Sequence, residues 1–405
     1  MKVAIVGTYP AGTFEKFKNY FSEKPEIKVV EVDTQEKFDA LTEADAIVLR
    51  ILKMPKEVVA RIKGLKMIMR WGAGFDSVDI EEAGKHGIYV CNTPGANANA
   101  VKELVLTGIF LSSRKIVEGI EWAKSLKDKD NVDKLVEKGK GQFTGPEIKG
   151  KKLGVIGLGA IGVLVANAAV NLGMEVYGYD PFLSVDAAWS LSSEVKRAGT
   201  KEELVSECDY ITIHVPLNDS TRGMYNKELF DITKKGARLL NFARGGLVNT
   251  ADLKEAVENG IITEYITDFP DADVIALDNV ICIPHLGAST PESEENCAEM
   301  AAIELKQYIE YGNIKNSVNF PACSIPYTGK ARIAVLHENI KGMVGAISNV
   351  LSDEGLNIDN MVNKSKGEWA YTLIDLDTFN GRANEVVEKL NAVEGIRKTR
   401  IVKEA

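Results

Sequence analysis

Hydrophobic residues in this chain fall into short runs whose spacing sets the expected architecture. Between residues 1 and 90 the runs KVAIV, KVVEV, AIVL, KMIMR and GIYVC stand out, separated by helical patterns such as FEKFKNYF. Strand runs alternating with helices in this way predict a parallel sheet. A long helical pattern, AVKELVLTGIFLSSRKIVEGIEWA, extends from about Asn97 to Ser125. The charged stretch after it, KSLKDKDNVDKLVEKGKGQFTGPEIKGKK, reads as a solvated arm or connector. A second alternation begins at Lys152, with strand runs KLGVIG, EVYGYD, YITIHV, RLLNFA, YITDF and VICIPH. Six such runs fit a complete doubly wound sheet. Residues 293–311 predict a helix that returns to the first region. NSVNFPACSIPYTGK has the Pro, Gly and Ser content of a linker. From Arg332 the order of patterns is βαββαβ, a split βαβ unit.

The expected fold class is therefore α/β, with two doubly wound parallel-sheet (Rossmann-like) domains and a C-terminal βαββαβ ferredoxin-like domain. The expected boundaries are 1–96 with 295–320, then 97–294, a linker at 321–330 and a last domain at 331–405.

Composition narrows the class of protein. A chain of 405 residues exceeds one ordinary core, in keeping with several domains. No apolar run reaches bilayer-spanning length, and MKVAIVGTYP lacks the apolar core of a signal peptide. The five cysteines (Cys91, Cys208, Cys282, Cys297 and Cys323) contain no CxxC pair. That argues for a reducing, cytoplasmic location with no disulfide framework and no metal site. The net charge of -9 disfavours a nucleic-acid partner, so an anionic ligand needs local positive charge.

The most specific motif is GVIGLGAIG, which places Gly157, Gly159 and Gly162 in G-x-G-x-x-G spacing. A predicted strand precedes it and a predicted helix follows, as a dinucleotide fingerprint requires. Gly157 permits the tight turn, Gly159 lets the backbone approach a pyrophosphate, and Gly162 allows helix and strand to pack closely. The helix start, at Ala160 and Ile161, directs free N–H groups at phosphate. Asp180 ends the next strand, where a carboxylate bonds a ribose 2′-hydroxyl and repels a 2′-phosphate, so NAD is expected over NADP.

Two later strand ends carry polar groups. Arg244 follows RLLNFA and His285 follows VICI. In an open α/β sheet both face the crevice at the carboxyl ends of the strands. Oxidation of an alcohol needs a base, and histidine titrates near neutrality. A guanidinium fork suits a carboxylate. His214, in YITIHVPL, ends another strand, where it either lines the cofactor cleft or packs structurally.

At this point the residues resemble the D-isomer-specific 2-hydroxyacid dehydrogenases. The resemblance covers residues 1–320 through WGAGFDSVD, NTPGANANAVKEL, GVIGLGAIG, NFARGGLVN and PHLGAST, in the family order. It implies a substrate domain built from both ends of the catalytic core, with the cofactor domain inserted. It also implies His285 as the acid/base, Arg244 as the carboxylate anchor, and Ala73, Gly74 and Asn97 lining the substrate site. Pro216, Thr221 with Arg222, Ala243 and Asp268 match its cofactor cleft. Within the family the likeness is greatest to the branch acting on 3-phosphoglycerate, where Arg50 and Arg70 fall at the basic positions directed to the phosphate. Residues 331–402 resemble an ACT domain, which implies L-serine as effector, held by His337, Asn339 and Asn357, and a homo-oligomer, dimer or tetramer, that pairs such domains edge to edge.

One departure matters. The family usually reads D-V-F-x-x-E-P, and its glutamate bonds the catalytic histidine. Here the segment is TDFPDADV, so either Asp271 or Asp273 substitutes with a shorter reach or the pair is absent. Other functions stay open: a hydroxypyruvate, glyoxylate or 2-oxoglutarate reductase, an NAD-sensing corepressor, or an amino-acid-sensing scaffold.

Overall fold

The computed structural model describes every residue except 10, 11, 25, 51 and 405. It divides into two compact units, Met1–Asn97 with Glu294–Ala405, and Ala98–Ser293.

In the first unit five parallel strands form one sheet. They are β1 (Lys2–Val6), β2 (Lys28–Val32), β3 (Ala46–Leu49), β4 (Met67–Arg70) and β5 (Tyr89–Cys91), in the order β2-β1-β3-β4-β5. Val3, Ile5, Ala46 and Val48 enter one core, while Ala4, Val6, Ile47 and Leu49 enter another on the opposite face. Burial on both faces is why these strands read as continuous apolar runs rather than alternating ones.

The second unit holds a seven-stranded parallel sheet. Its strands are β6 (Lys152–Ile156), β7 (Glu175–Tyr179), β8 (Lys196–Arg197), β9 (Tyr210–Ile213), β10 (Ala237–Asn241), β11 (Ile262–Thr267) and β12 (Val280–Cys282), ordered β12-β11-β10-β9-β6-β7-β8. The order reverses between β6 and β9, the switch point where such sheets bind ligands. β8 adds a seventh strand to the six expected. It is two exposed basic residues at the sheet edge, so no apolar run marked it. The long helix expected to Ser125 breaks at Lys115, whose φ of 47° separates Ala98–Arg114 from Ile116–Ser125. Part of the expected solvated arm is helical: Val132–Gly139 forms an exposed helix, and Phe143 after it stacks on Trp122 at 5.2 Å.

Four antiparallel strands form the last sheet. They are β13 (Ala331–Glu338), β14 (Ile358–Lys366), β15 (Trp369–Leu376) and β16 (Ile396–Lys403), in the order β14-β15-β13-β16. Helices Met343–Asp353 and Ala383–Asn391 cover one face through Ile347, Leu351, Val386 and Leu390. The other face is buried too: Ala334, Leu336, Tyr371 and Leu373 join the core that holds Val3, Tyr89 and Phe320. On that face Arg332 and Asp375 form a fully buried ion pair, and Arg332 also donates to the carbonyls of Tyr311, Ile325 and Pro326 at 3.1 Å. Removing either partner leaves a buried charge, at a cost of roughly 3–5 kcal/mol. Residues 321–330, expected as a plain linker, are anchored here, since Cys323 and Ile325 are buried in the same core. Ser324, Pro326 and Gly329 between and after these anchors stay exposed.

One buried acid works against stability. Glu264 on β11 is buried, and its Oε2 has no hydrogen-bond partner among the described residues. Burial, helped by the charge of Glu118, raises its pKa to about 7 against Arg238 and Lys115. A carboxyl raised in the folded state favours folding below its unfolded pKa and loses that contribution as pH rises through the folded value. Glu264→Gln should therefore raise Tm at pH 8 by about 2–4 °C, the shift that ~1 kcal/mol gives in a unit of this size. It should leave Tm unchanged at pH 5. Equal shifts at both pH values would show that ionisation is not the cause.

Candidate active site

The glycine loop joins β6 to the helix Ala160–Asn171. Gly157 has a φ of 92°, and a Cβ there would lie 2.6 Å from the His214 carbonyl oxygen. A Cβ on Gly162 would lie 1.9 Å from the Gly157 carbonyl oxygen. Both positions exclude a side chain on internal grounds. Gly159 differs, because a Cβ there would meet nothing within 4 Å. That open approach to the backbone, ahead of Ala160 and Ile161 in the first helical turn, is the shape a pyrophosphate needs. Asp180 lies just past β7 and accepts from Leu158 N and Phe182 N, both at 2.8 Å. It lines a cavity of about 340 Å³ with Leu158, Tyr179 and Pro181. These residues fit a dinucleotide with a free ribose hydroxyl.

His214 ends β9 beside this loop. Burial lowers its pKa to about 3, so its imidazole is neutral, with Nε2 2.9 Å from Thr212 Oγ1. Thr221 Oγ1 donates to the Pro216 carbonyl at 2.6 Å, which closes the turn after β9, and Arg222 is exposed.

Arg244, Asp268 and His285 follow the neighbouring strands β10, β11 and β12, whose ends are in register at Asn241, Thr267 and Cys282. All three therefore sit at the carboxyl edge of one sheet. Arg244 Nη1 donates to the Ala243 carbonyl at 2.8 Å, and its guanidinium lies over the Phe269 ring at 5.8 Å. The same ring lies 4.5 Å from the His285 ring. Phe269 thus touches both candidate catalytic groups. Asn241, fully buried, donates to the Arg244 carbonyl at 2.8 Å and accepts from Ala243 N at 3.2 Å. Neither Phe269 nor Asn241 was singled out from sequence, although both lie inside the motifs that were.

Asp268 is buried and accepts from Gly287 N at 3.0 Å, while its Oδ1 has no hydrogen-bond partner among the described residues. Burial raises its pKa, opposed by the Gly287 N–H and by the nearby His285 and Arg244 side chains. The expectation for Asp271 and Asp273 is corrected here. Asp271 caps the short helix Ala272–Ile275, accepting from Val274 N at 2.8 Å, and Asp273 is exposed. Among the described residues neither carboxylate has a hydrogen bond or ion pair with His285, and Asp271 is committed to the helix cap.

In the first unit Arg50 follows β3 and Arg70 ends β4, with Leu49 opposite Arg70 in the parallel register. Arg50 forms an ion pair with Glu294 and donates to the Thr8 carbonyl at 2.7 Å. Arg70 donates to the carbonyls of Leu49 and Trp71. The loop after β4 is pinned: Gly72 N donates to Thr93 Oγ1 at 2.8 Å, and the Ala73 carbonyl accepts from Asn92 at 2.6 Å. Ala73 and Gly74 are thereby fixed near the same sheet edge. The Oδ1 of Asn97 is buried without a hydrogen-bond partner among the described residues.

In the last sheet His337 is buried, its ring bonded to the Glu338 carbonyl, Thr372 and Asn363. Asn339 donates to the Gly367 carbonyl and Asn357 to Asp377. Asn357 precedes the Ile358–Leu376 end of the sheet, whereas His337 pairs with Ala370 near the other end. One copy of the chain does not bring these three residues together.

Among the described residues no helix is long and apolar enough to cross a membrane, and no group of three or more His, Cys, Asp or Glu is placed to hold a metal.

Comparison with known proteins identifies the family. A family profile described as D-isomer specific 2-hydroxyacid dehydrogenase, NAD binding domain, matches residues 108–287. The chain is 31% identical to the D-3-phosphoglycerate dehydrogenase of Bacillus subtilis over 392 residues, covering 92% of this chain and 70% of that one. It is 32% identical to the enzyme of that name from Haemophilus influenzae, covering 81% and 79%. The chain belongs to the D-isomer-specific 2-hydroxyacid dehydrogenase family. As a member of this family it is an NAD-dependent dehydrogenase. Solved family structures share its fold. The NAD+-bound 3-phosphoglycerate dehydrogenase of Entamoeba histolytica superposes with a TM-score of 0.65 at 26% identity, covering 79% of this chain and 98% of that one. The D-mandelate dehydrogenase of Rhodotorula graminis, at 22% identity and TM-score 0.68 over 80% of this chain and 98% of its own, shares the fold alone.

Proposed function

We propose that this chain oxidises D-3-phosphoglycerate to 3-phosphohydroxypyruvate and is restrained by L-serine acting at its C-terminal sheet. The observation that carries the substrate reading is the pair Arg50 and Arg70 at the ends of adjacent parallel strands. Two arginines at the ends of neighbouring strands suit a doubly charged phosphate. Glu294 already offsets Arg50, so a weakly charged group competes poorly for it. The names of the relatives point the same way.

Bound NAD+ supplies the hydride acceptor. Arg244 holds the substrate carboxylate, with its backbone set by the Asn241 amide. His285 takes the hydroxyl proton as the carbon is oxidised, and returns it in the reverse direction. Phe269 keeps the imidazole and the guanidinium oriented from one ring. The Asp268 carboxylate adds negative charge near Arg244 and favours the imidazolium that forms when His285 takes the proton.

For the effector, Asn357 lies about six residue pairs from His337 along the sheet, roughly 20 Å by strand rise, so a ligand touching both needs a second copy. In the second unit, exposed apolar side chains at Phe110, Ile116, Ile120 and Leu135 offer a separate surface for self-association.

With NADH in excess, phosphohydroxypyruvate should turn over with a kcat/KM at least ~10²-fold above hydroxypyruvate and 2-oxoglutarate, because acids that lack the phosphate forgo its charge-assisted bonds to the arginines. Comparable use of 2-oxoglutarate would assign the two arginines to a second carboxylate instead. Saturating L-serine should lower turnover, and Asn339→Ala should weaken that inhibition. Activity indifferent to serine removes the regulatory half of the proposal and leaves the substrate half standing.

A further inference from the structure

The first unit contains a cavity of about 840 Å³ that none of the chemistry above uses. One wall is a single face of the helix Pro291–Tyr311, on which Asn296, Met300, Ile303, Glu304 and Gln307 succeed one another at helical spacing. The facing wall comes from Ile314 and Lys315 and from Ala322–Ser324. The size is that of a small-molecule site, and mostly apolar walls with a few convergent polar groups are its usual make-up.

Glu304 is the unusual member of the wall. Its residue is only 7% exposed, Oε1 accepts from the Asn316 amide, and Oε2 is buried without a hydrogen-bond partner among the described residues. A buried acceptor left unsatisfied is costly, so a ligand donor that draws the carboxylate toward the cavity is favoured. Glu299 lies on the same wall, and the cation among the lining residues is Lys315, so the lining carries a net negative charge and disfavours anions.

We propose that this cavity is a binding site for a small organic amine, its ammonium donating to Glu304 and its apolar body lying against Met300, Ile303 and Ile314. Its walls are separate from the groups assigned to substrate and cofactor. The charged and titratable neighbours of Glu304 are Lys315, Cys91 on β5 and Glu299 along the helix. Burial raises the Glu304 carboxyl to about 7, against the Asn316 bond and the Lys315 charge. Amine affinity should therefore rise from pH 6 to pH 8.

The test is calorimetric titration of the full chain with 2-phenylethylamine, with 2-phenylethanol and 3-phenylpropionate as neutral and anionic controls of the same shape. One saturable site per chain is expected for the amine at pH 8, at least ~10-fold tighter than the alcohol, with no binding of the acid. Glu304→Gln should weaken the amine at least ~10-fold while dehydrogenase turnover stays unchanged. Ile303 is half exposed, so Ile303→Lys tests the same wall with little risk to folding, and its own ammonium should exclude the ligand. Absence of amine binding, or equal binding by both variants and the parent, overturns the proposal. Dissociation of the assembly by Ile303→Lys in sedimentation also overturns it, because the groove then belongs to a subunit contact.

Discussion

His285→Gln is expected to lower kcat for NADH-dependent reduction of the 2-oxo acid by ~10²–10⁴-fold, the range a positioned acid/base supplies. The substitution keeps a polar side chain of similar length but removes the proton carrier. NADH affinity should hold, because the glycine loop and Asp180 are on β6 and β7 while His285 follows β12. Loss in kcat without loss in cofactor binding is the signature of an interaction made only in the transition state. Phe269 sharpens the test. It contacts His285 on one side and lies under Arg244 on the other, so Phe269→Leu should lower activity by a smaller factor through misorientation of both groups. Asp271→Asn and Asp273→Asn serve as controls. Asp271 is committed to its helix cap and Asp273 is exposed, so neither should move the pH profile. A changed profile in either would return the histidine–carboxylate pair to the site. Turnover near the parent level in His285→Gln would remove the histidine from the chemistry.

The features legible in the sequence are those that depend on local pattern. Strands buried on both faces leave continuous apolar runs, and the fingerprint glycines have internal reasons to be glycine. Arg244 and His285 were found because strand ends in a parallel sheet share one edge. The rest depended on what residues meet across the fold. Phe269 is one aromatic in a loop until the fold sets a guanidinium and an imidazole against it. Asp271 read as a candidate acid, yet its position at the start of Ala272–Ile275 makes it a cap, a role that an aspartate at a helix start often fills. His337, Asn339 and Asn357 looked like one ligand set because motif spacing hides strand register, which sends Asn357 to the far end of the sheet. β8 was missed because two exposed basic residues carry no hydrophobic signal.

The two fingerprint glycines should respond differently to the same added methyl group. In Gly162→Ala the new Cβ would sit 1.9 Å from the Gly157 carbonyl oxygen, a backbone atom with no side-chain freedom. Helix and loop must move apart, so NADH affinity should fall by at least ~10²-fold. Tm should fall as well, since overpacking costs about 1–3 kcal/mol. In Gly159→Ala the methyl group would meet no protein atom within 4 Å. Folding should be untouched, and Tm should stay at the parent value. The methyl group would instead occupy the approach that a pyrophosphate needs, so NADH affinity should still fall, by ~10-fold or more. Fluorescence titration with NADH and thermal melting of the apoprotein separate the two cases. If Gly159→Ala bound NADH like the parent, the phosphates would not lie against this turn. If Gly162→Ala melted like the parent, the helix would not be held as close to the loop as the fold requires.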